Sequence, residues 1–154
     1  MSIKLFLIGR TNDDLLKDGM SEYTKRLSRY TSFTIDELQV KSSSVEVRVI
    51  LQKEAEKLLE QIKNTDFLIL LDETGEEYTS IDFARKLEQW QIKVSGNIVF
   101  AVGGAYGFHP DVYKRANFKM ALSKMTFTHQ MVRLIFVEQL YRAFTIIRNE
   151  KYHH

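Results

Sequence analysis

The stretch Phe100–Val112 reads FAVGGAYGFHPDV and holds three of the 7 glycines in the chain together with its 1 proline. An apolar run stops at Gly103 and Gly104, and Pro110 follows at a point where a helix can begin, since proline suits the first helical position. Apolar runs without alternation, here and in FLILL at 67–71, are typical of strands buried on both faces of a sheet. The stretch therefore predicts a buried parallel strand that ends in a glycine loop and leads into a helix.

The rest of the chain repeats this alternation of strand and helix. The predicted strands are Ile3–Gly9, Phe33–Val40, Phe67–Asp72, Asn97–Gly103 and Asn117–Leu122. The predicted helices lie near Asp13–Arg29, Ser44–Lys63, Ser80–Val94, Pro110–Ala116 and His129–Asn149. Strands that alternate with helices predict one α/β domain over residues 1–154, built on a mainly parallel sheet.

Composition and charge narrow the possible functions. No apolar run approaches the roughly 18 residues that cross a membrane. The chain has no cysteine, which excludes disulfides, thiolate metal sites and cysteine nucleophiles and fits a cytoplasmic location. The net charge is only +2, but from His109 onward there are 8 Lys and Arg against 3 Asp and Glu. This basic end favours an anionic partner such as RNA, with an ordinary solvated surface as the alternative.

Ligand-binding loops are expected after three predicted strands, because ligands of open parallel sheets lie at the carboxyl ends of the strands. These loops fall within LLDETGEEY at 70–78, GGAYG at 103–107 and ALSKMTFTHQMVR at 121–133. The glycine stretch lacks both G-x-G-x-x-G and the lysine of a phosphate-binding P-loop. It therefore favours either a plain turn or a main-chain pocket for a neutral or cationic ligand. The spacing of histidines and carboxylates predicts no metal site.

The last predicted helix is apolar on two sides. One stripe, predicted to pack on the sheet, contains Val132, Phe136, Val137, Leu140, Ala143, Phe144 and Ile147. The other side carries Met131, Leu134, Ile135, Tyr141 and Ile146. Because no further element is expected to cover this second side, the pattern predicts a homodimer.

Several long strings resemble one known family closely. VGGAYGF, LSKMTFTHQMVRLIFVEQLYRAFTI and the terminal YHH are similar to the small bacterial SPOUT-class methyltransferases that methylate N3 of a pseudouridine in 23S rRNA. The resemblance extends over the whole chain and includes EYTKRL in the first predicted helix. It implies an α/β fold with a C-terminal trefoil knot, bent S-adenosylmethionine in the knot loops, and a dimer whose cofactor sites lie close to the partner subunit.

The resemblance also assigns the cofactor contacts to the three loops. The implied residues are Leu71, Gly103, Gly104, Leu122, Ser123, Lys124, Met125, Thr126 and Phe127. The chain departs from many relatives at Thr128, where they have proline before the histidine. This change loosens the backbone restraint on the turn but removes no catalytic group.

Methyl transfer to an imide nitrogen requires a group that removes the N–H proton. His129 is the first candidate, since an imidazole accepts a proton near pH 7, and a helix cap is its alternative role. Arg133 interrupts the apolar stripe of the last helix. It either extends past the sheet edge or lies in a cleft, where it would stabilise the imide anion or hold a phosphate.

The remaining site candidates are expected to shape an RNA pocket. They are Tyr141, Arg142, Tyr152 and His153, and Tyr152 can stack on a base. Glu138 stands four residues before Arg142, and a plain surface salt bridge is the favoured interpretation of that pair. With so low a net charge, a preformed surface such as the assembled ribosome is the expected substrate. The alternatives are a methyltransferase for another RNA such as tRNA, or a non-catalytic ribosome-binding factor.

Overall fold

The computed structural model of the protein describes residues 1–154 and contains five strands and five helices in the predicted order. The strands are β1 (Ile3–Ile8), β2 (Phe33–Leu38), β3 (Phe67–Glu77), β4 (Ile98–Val102) and β5 (Phe118–Ala121). The helices are α1 (Asp14–Leu27), α2 (Val47–Leu59), α3 (Ser80–Lys93), α4 (Pro110–Arg115) and α5 (Met131–Ile147). None of these helices combines the length and hydrophobicity that crossing a membrane requires.

All five strands join one parallel sheet in the order β2-β1-β4-β3-β5. Strand β4 lies at the centre, where Ile98 pairs with Ile3 on one side and Phe67 on the other. Every residue of β4 is buried, as the apolar run predicted. The predicted fold class, a mainly parallel sheet flanked by helices, is confirmed.

Each face of the sheet has its own hydrophobic core. Successive strand residues point to opposite faces, so Phe100 belongs to the core under α1, α3 and α5, while Ala101 belongs to the core under α2 and α4. The ring of Phe100 lies 4.6 Å from the ring of Phe136 in α5. Burying such a side chain stabilises the fold by about 1.5–3 kcal/mol. These contacts fix the carboxyl ends of the strands, where ligands are expected.

Strand β3 does not end at Asp72, so the predicted strand boundary and the loop expected directly after it are wrong. The strand continues to Glu77 through a bulge, in which Leu71 and Glu76 both pair with Met120 of β5. A Cβ at Gly75 would stand only 2.5 Å from the main-chain nitrogen of Met120. Glycine is therefore needed for the close approach of the two strands, and not for a turn that ends β3.

Helix α5 packs between α1 and α3. Its second apolar side is partly covered within the same chain, because Leu134, Tyr141 and Ile146 pack against the core on that face of the sheet. Leu134 packs directly on Gly19 of α1, where an added Cβ would stand only 2.8 Å from the Cδ1 atom of Leu134. The premise that no element covers this side is therefore wrong, although Met131 remains 45% exposed.

Candidate active site

A cavity of about 440 Å³ opens at the bulge of β3 and at the carboxyl ends of β4 and β5. This volume lies within the range of small-molecule sites. Eight of the nine predicted cofactor contacts line it: Leu71, Gly103, Gly104, Leu122, Ser123, Met125, Thr126 and Phe127. The exception is Lys124, which is exposed and does not line the cavity. The three segments selected from the sequence thus meet around one space, although the first of them is a bulge within β3 and only the other two are loops.

The glycine loop is both a turn and a wall of the cavity. Gly107 donates its N–H to the carbonyl of Gly104 at 3.2 Å and has a positive φ of 79°, which favours glycine. A Cβ at Gly103 would stand 2.8 Å from the carbonyl oxygen of Gly107, so no side chain fits there. The wall therefore presents main chain to a ligand.

The loop that follows β5 is held by its own hydroxyl groups. Ser123 Oγ accepts the N–H of Met125 at 3.0 Å, and Thr126 Oγ1 donates to Glu73 Oε2 at 2.7 Å across the cavity rim. These bonds order the wall opposite the glycine loop. No group of three or more His, Asp or Glu side chains is arranged to hold a metal ion.

His129 lines the cavity at the start of α5 and is partly buried. Burial lowers the pKa of its imidazole, and the positive charge of Arg133 lowers it further. The imidazole is therefore neutral at pH 7 and able to accept a proton. The capping role considered for His129 falls to Thr128, whose hydroxyl accepts the N–H of Met131 at 3.0 Å.

Arg133 is completely buried at 0% exposure. Its guanidinium donates to the carbonyls of Ile8 at 2.8 Å and Gly9 at 3.0 Å, to Thr11 Oγ1 at 2.9 Å, and to the carbonyl of His129 at 3.1 Å. These bonds leave no exposed part of the side chain for an imide or a phosphate. This geometry contradicts the prediction that Arg133 contacts the substrate, and it equally excludes extension past the sheet edge. Its role is to tie α5 to the end of β1.

Gln130 reinforces the same tie and was missed in the sequence. Its amide donates to the carbonyl of Arg10 at 2.8 Å, and its Oε1 accepts the N–H of Asn12 at 2.9 Å. A lone glutamine beside a histidine gives no pattern that points to such contacts. Together with Arg133 it fixes the main chain of His129 relative to the sheet.

The four predicted RNA-pocket residues form a cluster around Glu138. Glu138 Oε1 accepts from Arg142 Nη2 at 2.6 Å and Nε at 3.1 Å, and from the hydroxyl of Tyr152 at 3.0 Å. Arg142 Nη1 lies 3.1 Å from Nδ1 of His153, and the rings of Tyr141 and Tyr152 meet at 4.8 Å. The cluster is partly buried and well connected, so the favoured interpretation of a plain surface salt bridge is too weak.

The Glu138 cluster stands apart from the cavity of its own chain. None of its residues lines the cavity. Arg142 follows His129 by thirteen residues, which corresponds to roughly 20 Å along a helix. One copy of the chain therefore brings together the cofactor residues and His129, but not the residues predicted to bind RNA.

The chain is a SPOUT methyltransferase: residues 1–153 match the family described as "Predicted SPOUT methyltransferase", and the chain belongs to that family. A relative from Cytophaga hutchinsonii, "Ribosomal RNA large subunit methyltransferase H", is 51% identical over 155 residues and covers 100% of both chains. The Flavobacterium johnsoniae protein of the same name is 46% identical, covering 100% of this chain and 99% of its own. The resemblance inferred from the sequence is confirmed.

A solved structure supports the same fold at low identity. It is described as a probable methylase family protein from Haemophilus influenzae Rd KW20, with 12% identity and a TM-score of 0.54. The match covers 99% of this chain and 70% of the other. At this identity the likeness speaks for the fold alone.

Proposed function

We propose that this chain transfers a methyl group from S-adenosylmethionine to N3 of a pseudouridine in 23S rRNA. The observation that carries the proposal is the 51% identity, over the full length of both chains, to a ribosomal RNA large subunit methyltransferase H. The region matched includes the residues that line the cavity and those of the Glu138 cluster.

S-adenosylmethionine is the cofactor of this family, and it supplies a methyl group activated on a sulfonium. The cavity fits such a molecule because its walls combine exposed main chain and apolar side chains with a few polar groups and no Lys or Arg. Gly103 and Gly104 admit close approach of an adenosine on one side, and Leu122–Phe127 form the opposite wall. Leu71 lines the cavity between these two walls, at the last position of β3 before the bulge.

His129 is the proton acceptor in the proposed reaction. It removes the N3 proton of the imide, and the freed electron pair on N3 forms the bond to the methyl carbon. The bound cofactor would supply this methyl carbon, and its sulfur would keep the electron pair of the carbon–sulfur bond. The neutral imidazole at the cavity wall supports this role, since a general base must be unprotonated before the step.

A homodimer is part of the proposal, because one copy leaves the site incomplete. In a dimer the Glu138 cluster of one subunit would lie beside the cavity of the other. Arg142 would then contact RNA phosphate and Tyr152 would stack on a base. The exposed Met131 near the cavity supports a contact between copies. The proposal also includes the trefoil knot expected of the family. The family's knot loops correspond to the three segments that line the cavity.

The assembled ribosome in the cytoplasm is the proposed substrate. A net charge of +2 gives little general attraction to RNA, so a preformed surface must supply the rest of the recognition. Tritiated methyl transfer is measured on ribosomes from a strain that lacks the enzyme, on naked rRNA and on tRNA. Mass mapping should then find one methylated pseudouridine in 23S rRNA. Methylation of tRNA, or cofactor binding with no transfer, would overturn the proposal in favour of the two alternatives.

A further inference from the structure

Glu54 of α2 places a carboxylate against the glycine loop of the cavity. A Cβ at Gly104 would stand 3.0 Å from its Oε1 and 3.3 Å from its Oε2. Oε2 is buried and has no hydrogen-bond partner, and burial raises the pKa of the carboxyl. A buried carboxylate without a donor is costly, so it calls for an explanation in the function of the molecule. A cationic ligand nearby would offset this cost.

Glu54 itself lines a small neighbouring cavity on the α2 side of the glycine loop, and two other carboxylates lie in the wall of the main cavity. Asp72 and Glu73 both line the cavity, in the bulge of β3. Burial alone would raise the pKa of Asp72, but hydrogen bonds from Thr74 and Tyr113, with the charge of nearby Lys119, outweigh burial and lower it. Asp72 is therefore ionised at neutral pH.

Positive charge around the cavity is sparse. No Lys or Arg lines it, and the one basic side chain in its wall is the neutral imidazole of His129. Lys119 lies outside the cavity, 3.3 Å from Thr74 Oγ1, and Lys124 is exposed. Glu73 has a hydroxyl partner but no ionic one. The surroundings of the cavity are thus negative in balance.

We propose that Glu54, Asp72 and Glu73 make the cavity selective for the positively charged cofactor over its neutral thioether product. The inference rests on the proposed function. Glu54 and Asp72 are partly buried, and a partly desolvated carboxylate attracts a cation more strongly than one in water. Glu73 is exposed and adds its charge at the rim of the cavity. During transfer the methyl group goes to N3, the N3 proton goes to His129, and sulfur keeps the bonding pair. The positive charge therefore leaves the cofactor, and the same carboxylates favour release of the product.

Isothermal titration calorimetry tests this with three probes: S-adenosylmethionine, S-adenosylhomocysteine and sinefungin, which carries an ammonium in place of the sulfonium. Glu54→Gln and Glu73→Gln should each lower the ratio of S-adenosylmethionine to S-adenosylhomocysteine affinity by about fivefold. The affinity for sinefungin should fall in these variants as the affinity for S-adenosylmethionine does, because both ligands carry the positive charge. Glu54→Asp keeps the charge and should keep most of the ratio.

Matched controls remove the same charge away from the cavity. The control substitutions are Glu56→Gln and Glu77→Gln. Glu56 lies on the exposed side of α2, and Glu77 lies at the exposed end of β3. Both should leave the affinity ratio unchanged. Equal weakening of both ligands, or a ratio no different from the controls, would overturn the inference and leave Glu54 a structural residue. If the unaltered protein binds none of the probes, the proposed function itself fails, which is a distinguishable result.

Discussion

Nη1 of Arg133 lies 3.0 Å from the carbonyl oxygen of Gly9, a residue 124 positions earlier in the chain. The contact joins the last helix to the end of the first strand, directly below His129. The partners of Arg133 are three main-chain oxygens and the hydroxyl of Thr11, with the carboxylate of Glu37 4.0 Å away. A side chain without several N–H donors of similar reach cannot replace it. A methionine at this position would leave the carbonyls of Ile8 and Gly9 without their donors.

We expect Arg133→Met to destabilise the fold by on the order of 3 kcal/mol, because buried acceptors lose charged donors. Urea denaturation followed by circular dichroism measures the loss. Arg148→Met, on an exposed residue just after α5, is the control and should change stability little. A stable Arg133→Met protein with no activity would instead return Arg133 to the catalytic role predicted from the sequence.

Replacing His129 by asparagine should lower the rate of methyl transfer by roughly a hundredfold or more, because the proton acceptor is lost. Affinity for S-adenosylmethionine should change little, since the main-chain walls remain. Single-turnover transfer and calorimetry separate the two quantities. An active His129→Asn enzyme would show that another group, or solvent, accepts the proton.

The pH dependence of the unaltered enzyme has a definite sign. The pKa of His129 is lowered in the folded protein, so activity should fall only when the pH drops below the ordinary histidine range. The unfolded chain binds this proton more readily, so stability from this group is present above the unfolded pKa and is lost as the pH falls from there through the lower folded pKa. Rate and denaturation profiles measured between neutral and mildly acidic pH test both statements, and an activity loss that begins above neutrality contradicts them.

Gly103→Ala should weaken binding of S-adenosylmethionine by about tenfold or more, because its Cβ would meet main chain that cannot withdraw. Gly104→Ala is a matched comparison, since its Cβ would meet the flexible end of the Glu54 side chain. The second variant should lose less affinity than the first. Calorimetry on both proteins decides the order, and a Gly103→Ala protein that binds normally would remove the glycine loop from the site.

The proposed dimer predicts complementation between two inactive variants. His129→Ala and Arg142→Ala should each be inactive when alone. If a site combines His129 of one subunit with Arg142 of the other, mixed dimers hold one intact site, and an equal mixture should recover about a quarter of full activity. Methyl transfer by co-expressed chains measures the recovery. No recovery, from a mixture shown to contain mixed dimers, would place both residues in the same subunit's site.

Local patterns predicted much of the fold. The unbroken apolar run of β4 indicated a central buried strand, and Pro110 marked the start of α4. The rule that ligands lie at strand carboxyl ends selected the three segments that line the cavity. Each of these inferences depends on neighbouring residues or on general rules of parallel sheets.

What the sequence did not reveal depends on distant contacts. The role of Arg133 is set by carbonyls of β1 that carry no side-chain signature, and the tie made by Gln130 is of the same kind. The bulge of β3 depends on the close approach of Gly75 to Met120. In the sequence alone, a glycine required for such an approach cannot be told from a glycine that forms a turn. A side chain that hydrogen-bonds to the main chain of a residue distant in sequence produces no periodic pattern of residue types, so the sequence alone does not reveal the contact.

The bulge also makes this enzyme adaptable. Leu71 and Glu76 both pair with Met120, so the pairing of β3 with β5 is fixed before and after residues 72–75. Two of those residues, Asp72 and Glu73, line the cavity, whereas Gly75 lies against Met120 and holds β5 close to β3. Smaller side chains at Asp72 and Glu73 would therefore widen the cavity for synthetic cofactor analogues with longer alkyl groups, and Gly75 would still hold β3 against β5.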